Sequence, residues 1–146
     1  MNESNFKKAT PEDRKAHVVR PFEQVPLTTL VDGSLSHLIA TGNLTASFLT
    51  MEAGSIFEVH THSHAQLMIV VDGYCDEIID GKIYRVEKGD VIYLPENIPH
   101  GAFIREVDCH AIDIFVPRRE DYLEKYRQQN PQSKLFFDDN SKPQTF

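Results

Sequence analysis

Four side chains within residues 54–73, GSIFEVHTHSHAQLMIVVDG, carry the sharpest chemical signal in the chain: the imidazoles of His60, His62 and His64 and the amide of Gln66. All four positions are even-numbered, so an extended strand would project them toward one face. Neutral imidazole is the commonest protein ligand for zinc, nickel, copper and iron, and alternate strand residues lie close enough for two nitrogens to share one ion. A further imidazole arrives at His100, just after the strand-like run Val91 to Pro95. Residue types and spacing point to a metal site; the competing reading is a polar hairpin tip whose histidines face water. His64 shares the parity of the others, but a turn at Ser63 would move it to the rim. His37 and His110 each stand alone in strand-like runs, where a histidine is more often a hydrogen-bonded structural residue than a ligand.

The elements that must position these groups read as β-strands. From Val25 to Met51, short apolar runs alternate with turn signals at Val31-Asp32-Gly33 and Thr41-Gly42-Asn43, which predicts consecutive strands. Beyond the histidines, Leu67 to Val71 is continuously apolar, and Asp72-Gly73 turns the chain into Tyr74 to Ile79. Asp80-Gly81 is a strong hairpin dipeptide, because both central positions of a tight primed turn require positive φ. Lys82 to Val86 returns, Lys88-Gly89 turns into Val91 to Leu94, and Pro95, Asn97 and Pro99 make the loop that presents His100. Two more strands are expected at Ala102 to Arg105 and Cys109 to Val116, giving nine or ten in all and no internal helix. After Pro117 the period changes: Arg119 to Gln129, REDYLEKYRQQ, spaces Tyr122 and Tyr126 four residues apart and predicts a short helix, stopped by Asn130-Pro131. In the polar tail that follows, Leu135-Phe136-Phe137 is an apolar triplet expected to dock on this chain or on a partner.

Length and charge limit what such a chain can be. At 146 residues it supports a single core, divided into a flexible arm (1–20, polar, disordered or loosely packed, with Pro11 and Pro21 as breakers), a barrel (21–117) and a helix with tail (118–146). A net charge of -7 without a Lys/Arg cluster argues against nucleic acid or an anionic membrane as partner. No stretch approaches the ~18 apolar residues of a membrane span, and the start has no apolar signal core, so a cytoplasmic protein is expected. Two cysteines, Cys75 and Cys109, make no disulfide framework and are expected as reduced thiols.

With those motifs in view, the sequence resembles the cupin superfamily. The first cupin motif runs Gly, five residues, His-x-His, three or four residues, Glu, six residues, Gly; here Gly54, His60, His62, Gln66 and Gly73 take those places. The second runs Gly, five residues, Pro-x-Gly, two residues, His, three residues, Asn; here Gly89, Pro95 and His100 agree, Asn97 replaces the Gly and Ile104 replaces the Asn. The resemblance implies an all-β, double-stranded β-helix (jelly-roll) barrel. It also implies one divalent ion (Ni, Zn, Fe or Mn) held by His60, His62, Gln66 and His100. With Gln66 in place of Glu, three imidazoles and an amide oxygen cancel none of the ion's charge. The ion would stay a strong Lewis acid, suited to an anionic or chelating ligand, and trivalent iron would be hard to stabilise. Cupin sheets carry exposed edges that a partner's strand commonly covers, so a homodimer is expected.

Asp113 and Phe115 share a strand face, and DIFVPRRED runs from them into Arg118 and Arg119; by residue type alone this is equally well a strand-end Asp followed by a solvated charge run. Within the cupins, HTHSHAQ, GDVIYLPENIPH and DIFVPRREDYL together resemble the KdgF-type pectin-degradation proteins. Those are associated with opening the ring of unsaturated monouronates left by pectin and alginate lyases. Position by position, the resemblance implies a pocket carboxyl at Asp113, an aromatic at Phe115 and a substrate arginine at Arg119, acting on a small anionic sugar. Ala65 and Met68 depart from the pattern. Other cupin enzymes (a dioxygenase, decarboxylase or cyclase) or a non-catalytic sugar or metabolite binder are the alternative readings.

Overall fold

The computed structural model describes residues 1–138, in which two antiparallel sheets enclose one core. The remainder of the expected tail, 139–146, lies outside the described residues. The strands are β1 (Leu27–Val31), β2 (Ser34–Ala40), β3 (Thr45–Met51), β4 (Ile56–His60), β5 (Ala65–Asp72), β6 (Tyr74–Ile79), β7 (Lys82–Glu87), β8 (Val91–Leu94), β9 (His100–Phe103) and β10 (Cys109–Val116). Six of them form one sheet in the order β1-β2-β3-β10-β5-β8, and four form the other in the order β4-β9-β6-β7. This is the jelly-roll arrangement expected from the sequence.

Alternation sets the inner face. In β2, β3 and β10, every second residue is buried, from Ser36 and Leu38 to Leu49, Met51, Ala111 and Phe115. Two inward hydroxyls, on Ser36 and Ser47, satisfy each other at 2.6 Å. The Asp80-Gly81 turn adopts φ of 47° and 80°, the positive pair that the hairpin needed.

The N-terminal arm is more ordered than its polarity suggested. Glu3–Asn5 is a 3-10 turn and α1 (Pro11–His17) follows; α2 (Pro21–Gln24) then opens the span expected as barrel, a short helix where none was expected. Pro11 and Pro21 are not breakers here: each sits in the first turn of its helix, where the missing N–H has no partner to lose. Thr10 and Asp13 close a capping box at the start of α1. No residue of α1 is buried, so the helix rests on local capping and not on the core. Val19 alone in this arm packs against the core.

At the other end, α3 (Glu120–Gln129) lies across β1. It buries Leu123 and Tyr126, worth about 1.5–3 kcal/mol each, well above the ~0–1 kcal/mol of its surface ion pairs. The Gln129 side chain accepts from the Thr29 N–H and donates to the Thr29 carbonyl, both at 2.8 Å, which fixes the helix against the edge strand. The expected triplet Leu135-Phe136-Phe137 packs on the chain's own core. Among the described residues, no helix is long and apolar enough to cross a membrane.

Candidate metal centre

His60 ends β4 and His100 opens β9, and the register of those strands makes them direct cross-strand partners. Their ring centroids are 4.4 Å apart. The close approach depends on Gly101: a Cβ there would lie 2.5 Å from the Phe57 carbonyl oxygen. His62 arrives from the connection between β4 and β5, and Gln66 from β5 in the other sheet.

The shared parity of His60, His62, His64 and Gln66 is thus not the parity of one strand. Strand β4 stops at His60 and β5 starts only at Ala65, because the chain crosses here from the four-stranded to the six-stranded sheet. His62 is turned inward by its loop, whereas His64, in the bend at Ser63 and His64, stays outside the group. Its ring centroid is 5.6 Å from that of His62, and its Nδ1 is buried without a hydrogen-bond partner.

The protonation of the cluster follows from its carbonyl partners. His60 Nδ1 donates to the Glu58 carbonyl at 2.9 Å, His62 Nδ1 to that of His64 at 3.0 Å, and His100 Nδ1 to that of Ile98 at 2.9 Å. A carbonyl only accepts, so each Nδ1 carries the proton and each Nε2 presents a lone pair. His62 Nε2 lies 3.2 Å from His100 Nε2 and 3.2 Å from Gln66 Oε1. Burial, then the charges of Arg119 and His100, push His62 down to about 4, and burial likewise lowers His100, so protonation is not what reconciles these facing lone pairs near neutral pH. Ligand atoms of His60, His62 and His100 all lie within 4.8 Å of one another. Such a set fits a divalent cation: the three imidazoles can hold an ion, with Gln66 Oε1 placed to join them.

Around the imidazoles the barrel interior supplies acid, base and aromatic groups. A cavity of ≈ 80 Å³ is lined by His60, Gln66, Glu77, His100, Asp113 and Arg119. It opens beside a groove of ≈ 480 Å³ lined by Phe57, Glu58, His60, Arg119, Asp121 and Lys125. The groove has the size of a small-molecule site (~300–1,000 Å³), and the inner cavity has room for only a few atoms. Asp113 faces inward from β10, pairs in register with Met68 and has a buried Oδ1 without a hydrogen-bond partner. Burial pushes its carboxyl up to about 7, against the opposing pull of the Gln66 amide and the Arg119 charge. Phe115, two residues on, meets the His62 ring edge-on at 5.8 Å. Arg119, at the N-cap of α3, lies with its guanidinium 4.9 Å from the Phe115 ring and 3.7 Å from that of Tyr122.

The three residues expected around the pocket, Asp113, Phe115 and Arg119, are therefore brought to the imidazoles. His37 and His110 stand apart: His37 Nδ1 bonds the Val25 carbonyl, and His110 pairs with Thr50 Oγ1. Arg118, next to Arg119, instead ties down the tail through the Thr41 carbonyl and Asp138.

Glu77 is the pocket residue that the sequence reading missed. Burial, together with the charge of Asp113, pushes its carboxyl up to about 8. A signal existed, since alternation along Tyr74–Ile79 puts Glu77 on the same face as the fully buried Cys75. Asp76 beside it is the ordinary case, paired to Arg85 at 2.6 Å and Arg105 at 2.7 Å.

A family model described as Cupin domain matches residues 47–115. The solved structure of KdgF from Halomonas sp. is similar at 30% identity and a TM-score of 0.61, over 66% of this chain and 89% of that one. An RmlC-like cupin from Shewanella frigidimarina is similar at 30% identity and a TM-score of 0.64, over 68% and 90% of the two chains. A protein from Photorhabdus luminescens shares the fold alone, at 17% identity and a TM-score of 0.56, over 88% and 98%. Comparison with curated proteins gave no match. The family match runs from β3 into β10 and takes in His60, His62, Gln66 and His100, and nine-tenths of an RmlC-like cupin is covered; this chain belongs to the cupin family, as a small cupin resembling KdgF.

Proposed function

We propose that this cupin is a metal-dependent enzyme that opens the ring of cyclic 4,5-unsaturated monouronates, the products of pectin and alginate cleavage, to give the open-chain keto form. The observation that carries the reading is Asp113: a buried carboxyl with one unpaired oxygen, sharing a cavity with Arg119 and the imidazoles of His60 and His100, and titrating at about 7. The similarity to KdgF supports it. The conversion is an isomerisation, in which the anomeric hydroxyl gives up a proton as the ring C–O bond breaks and a carbon of the former double bond gains one. A carboxyl that titrates close to working pH is suited to carry that proton as general acid or base. Arg119 offers a planar fork for the uronate carboxylate, and Phe115 and Tyr122 hold that fork in place. When bound, a divalent ion at the imidazoles would supply Lewis acidity toward a substrate oxygen. The groove beside the cluster, at ≈ 480 Å³, has room for a monosaccharide. The free thiols of Cys75 and Cys109 suit a reducing compartment, the cytoplasm in this reading.

The test is loss of the enol-ether ultraviolet absorbance from unsaturated galacturonate or mannuronate with metal-loaded protein. Asp113→Asn is expected to lower kcat by about 100-fold or more, the scale of general acid-base assistance, without loss of metal. Arg119→Lys keeps the charge but not the fork and is expected mainly to raise KM. No turnover above the spontaneous rate in the parent would end the uronate reading.

A further inference from the structure

Arg119 is restrained on one edge as well as on its face. Nε donates to Asp121 Oδ1 at 3.1 Å and Nη2 to Asp121 Oδ2 at 2.6 Å, a bidentate pair. A guanidinium offers a carboxylate two such edges, Nε with Nη2 and Nη1 with Nη2. Asp121 takes the first, and Nη1 makes no hydrogen bond among the described residues. The Arg119 side chain is 8% exposed and that of Asp121 54%, so the pair is rooted on the arginine side and reaches outward on the acid side. Asp121 lines the groove but not the inner cavity, whereas Arg119 lines both. The acid therefore holds the arginine from the groove side, and the Nη1/Nη2 edge is the one that Asp121 leaves unpaired.

We propose that Asp121 is a positioning residue that, by holding the Nε/Nη2 edge of Arg119, presents the Nη1/Nη2 edge to the groove and makes the site selective for a planar carboxylate over a neutral sugar of the same shape. This rests on the reading of Arg119 as a carboxylate clamp. The opposite arrangement, in which Asp121 is a competitor that a ligand must displace, predicts the reverse effect of removing its charge.

The experiment is calorimetric titration of the metal-loaded parent, Asp121→Asn and Asp121→Glu with galacturonate, and with galactose as the neutral probe. Expected is a loss of tenfold or more in galacturonate affinity for Asp121→Asn, partial recovery in Asp121→Glu, and unchanged galactose binding and metal content. Equal or tighter galacturonate binding by Asp121→Asn overturns the proposal. A second measurement does not depend on the ligand: the rate at which phenylglyoxal modifies Arg119, followed by peptide mass. That rate is expected to rise several-fold in Asp121→Asn and to stay at the parent value in Glu124→Gln; an unchanged rate in Asp121→Asn overturns the positioning role. A parent that prefers galacturonate no more than galactose overturns the uronate reading and the selectivity drawn from it, while the modification rates still decide whether Asp121 positions Arg119.

Discussion

Each imidazole of the cluster is held by a carbonyl two residues away along its own chain segment, at Glu58, His64 and Ile98. Those bonds fix tautomer and ring direction before any ion arrives, which is what distinguishes these three from His64. Alanine at His60, His62 or His100 is therefore expected to strip the metal, and His64→Ala to retain most of it; elemental analysis of purified variants decides, and full metal content in the first three would refute the assignment. Glu77 makes a different prediction. Its carboxyl titrates at about 8 in the fold against an ordinary 4.5, so the folded chain binds the proton more tightly than the unfolded one. The sign follows: stability is greatest below the unfolded value and declines as pH rises from about 4.5 toward about 8. At about 1.4 kcal/mol per pKa unit, the decline amounts to a few kcal/mol. Glu77→Gln is expected to melt several degrees above the parent at pH 8 and together with it at pH 4.5, by thermal unfolding with a chelator present. Equal melting at both pH values would mean that Glu77 ionises freely.

At the scale of elements, the cluster depends on two loops that hold each other. The Asn97 N–H donates to the His62 carbonyl at 2.8 Å, linking the turn before β9 to the crossing between β4 and β5. Asn97 has φ of 64°, in the left-handed region, at the place where the cupin motif has Gly. Asparagine tolerates that conformation and a β-branched residue does not, the penalty being about 1–2 kcal/mol. The side chain is exposed, so a change there acts through the backbone. Asn97→Gly is expected to leave metal affinity unchanged, and Asn97→Val to weaken it by about tenfold while lowering Tm, as measured by competitive chelator titration. Equal affinity in both would uncouple the turn from the site.

For the whole molecule, the outer face of the six-stranded sheet is unusually apolar. Leu67, Val71, Val91, Tyr93 and Val116 are exposed there, and a groove of ≈ 400 Å³ is lined by Phe22, Phe48, Val71, His110 and Ile112. Its edge strand β8 has Tyr93 64% exposed and Val91 59% exposed. Continuous apolar surface beside an open edge favours association, and a sheet face can match itself across a two-fold axis. A homodimer through this face is the expected state: light scattering of the parent at micromolar concentration should report two chains, and Val91→Glu with Tyr93→Glu should give one chain with full metal content. A monomeric parent would reject it.

What the sequence determined was whatever local chemistry and periodicity encode. The strands followed from alternation, the Asp80-Gly81 turn from the φ it needs, and the ligand candidates His60, His62, Gln66 and His100 from residue type and motif spacing. What it did not determine was anything set by which segments meet. The parity that groups His64 with the ligands fails because the chain changes sheets between His60 and Ala65, and only pairing between β4 and β9 selects His100 as the partner of His60. Proline at 11 and 21 reads as a breaker until the capping around it shows a helix start. Glu77 is marked in the chain only by sharing a strand face with Cys75, and Asp121 looks like an ordinary surface acid. The fold turns the first into a buried pocket carboxyl and the second into the partner of Arg119, because burial and charge pairing depend on neighbours that are distant in sequence or set by the docking of a helix.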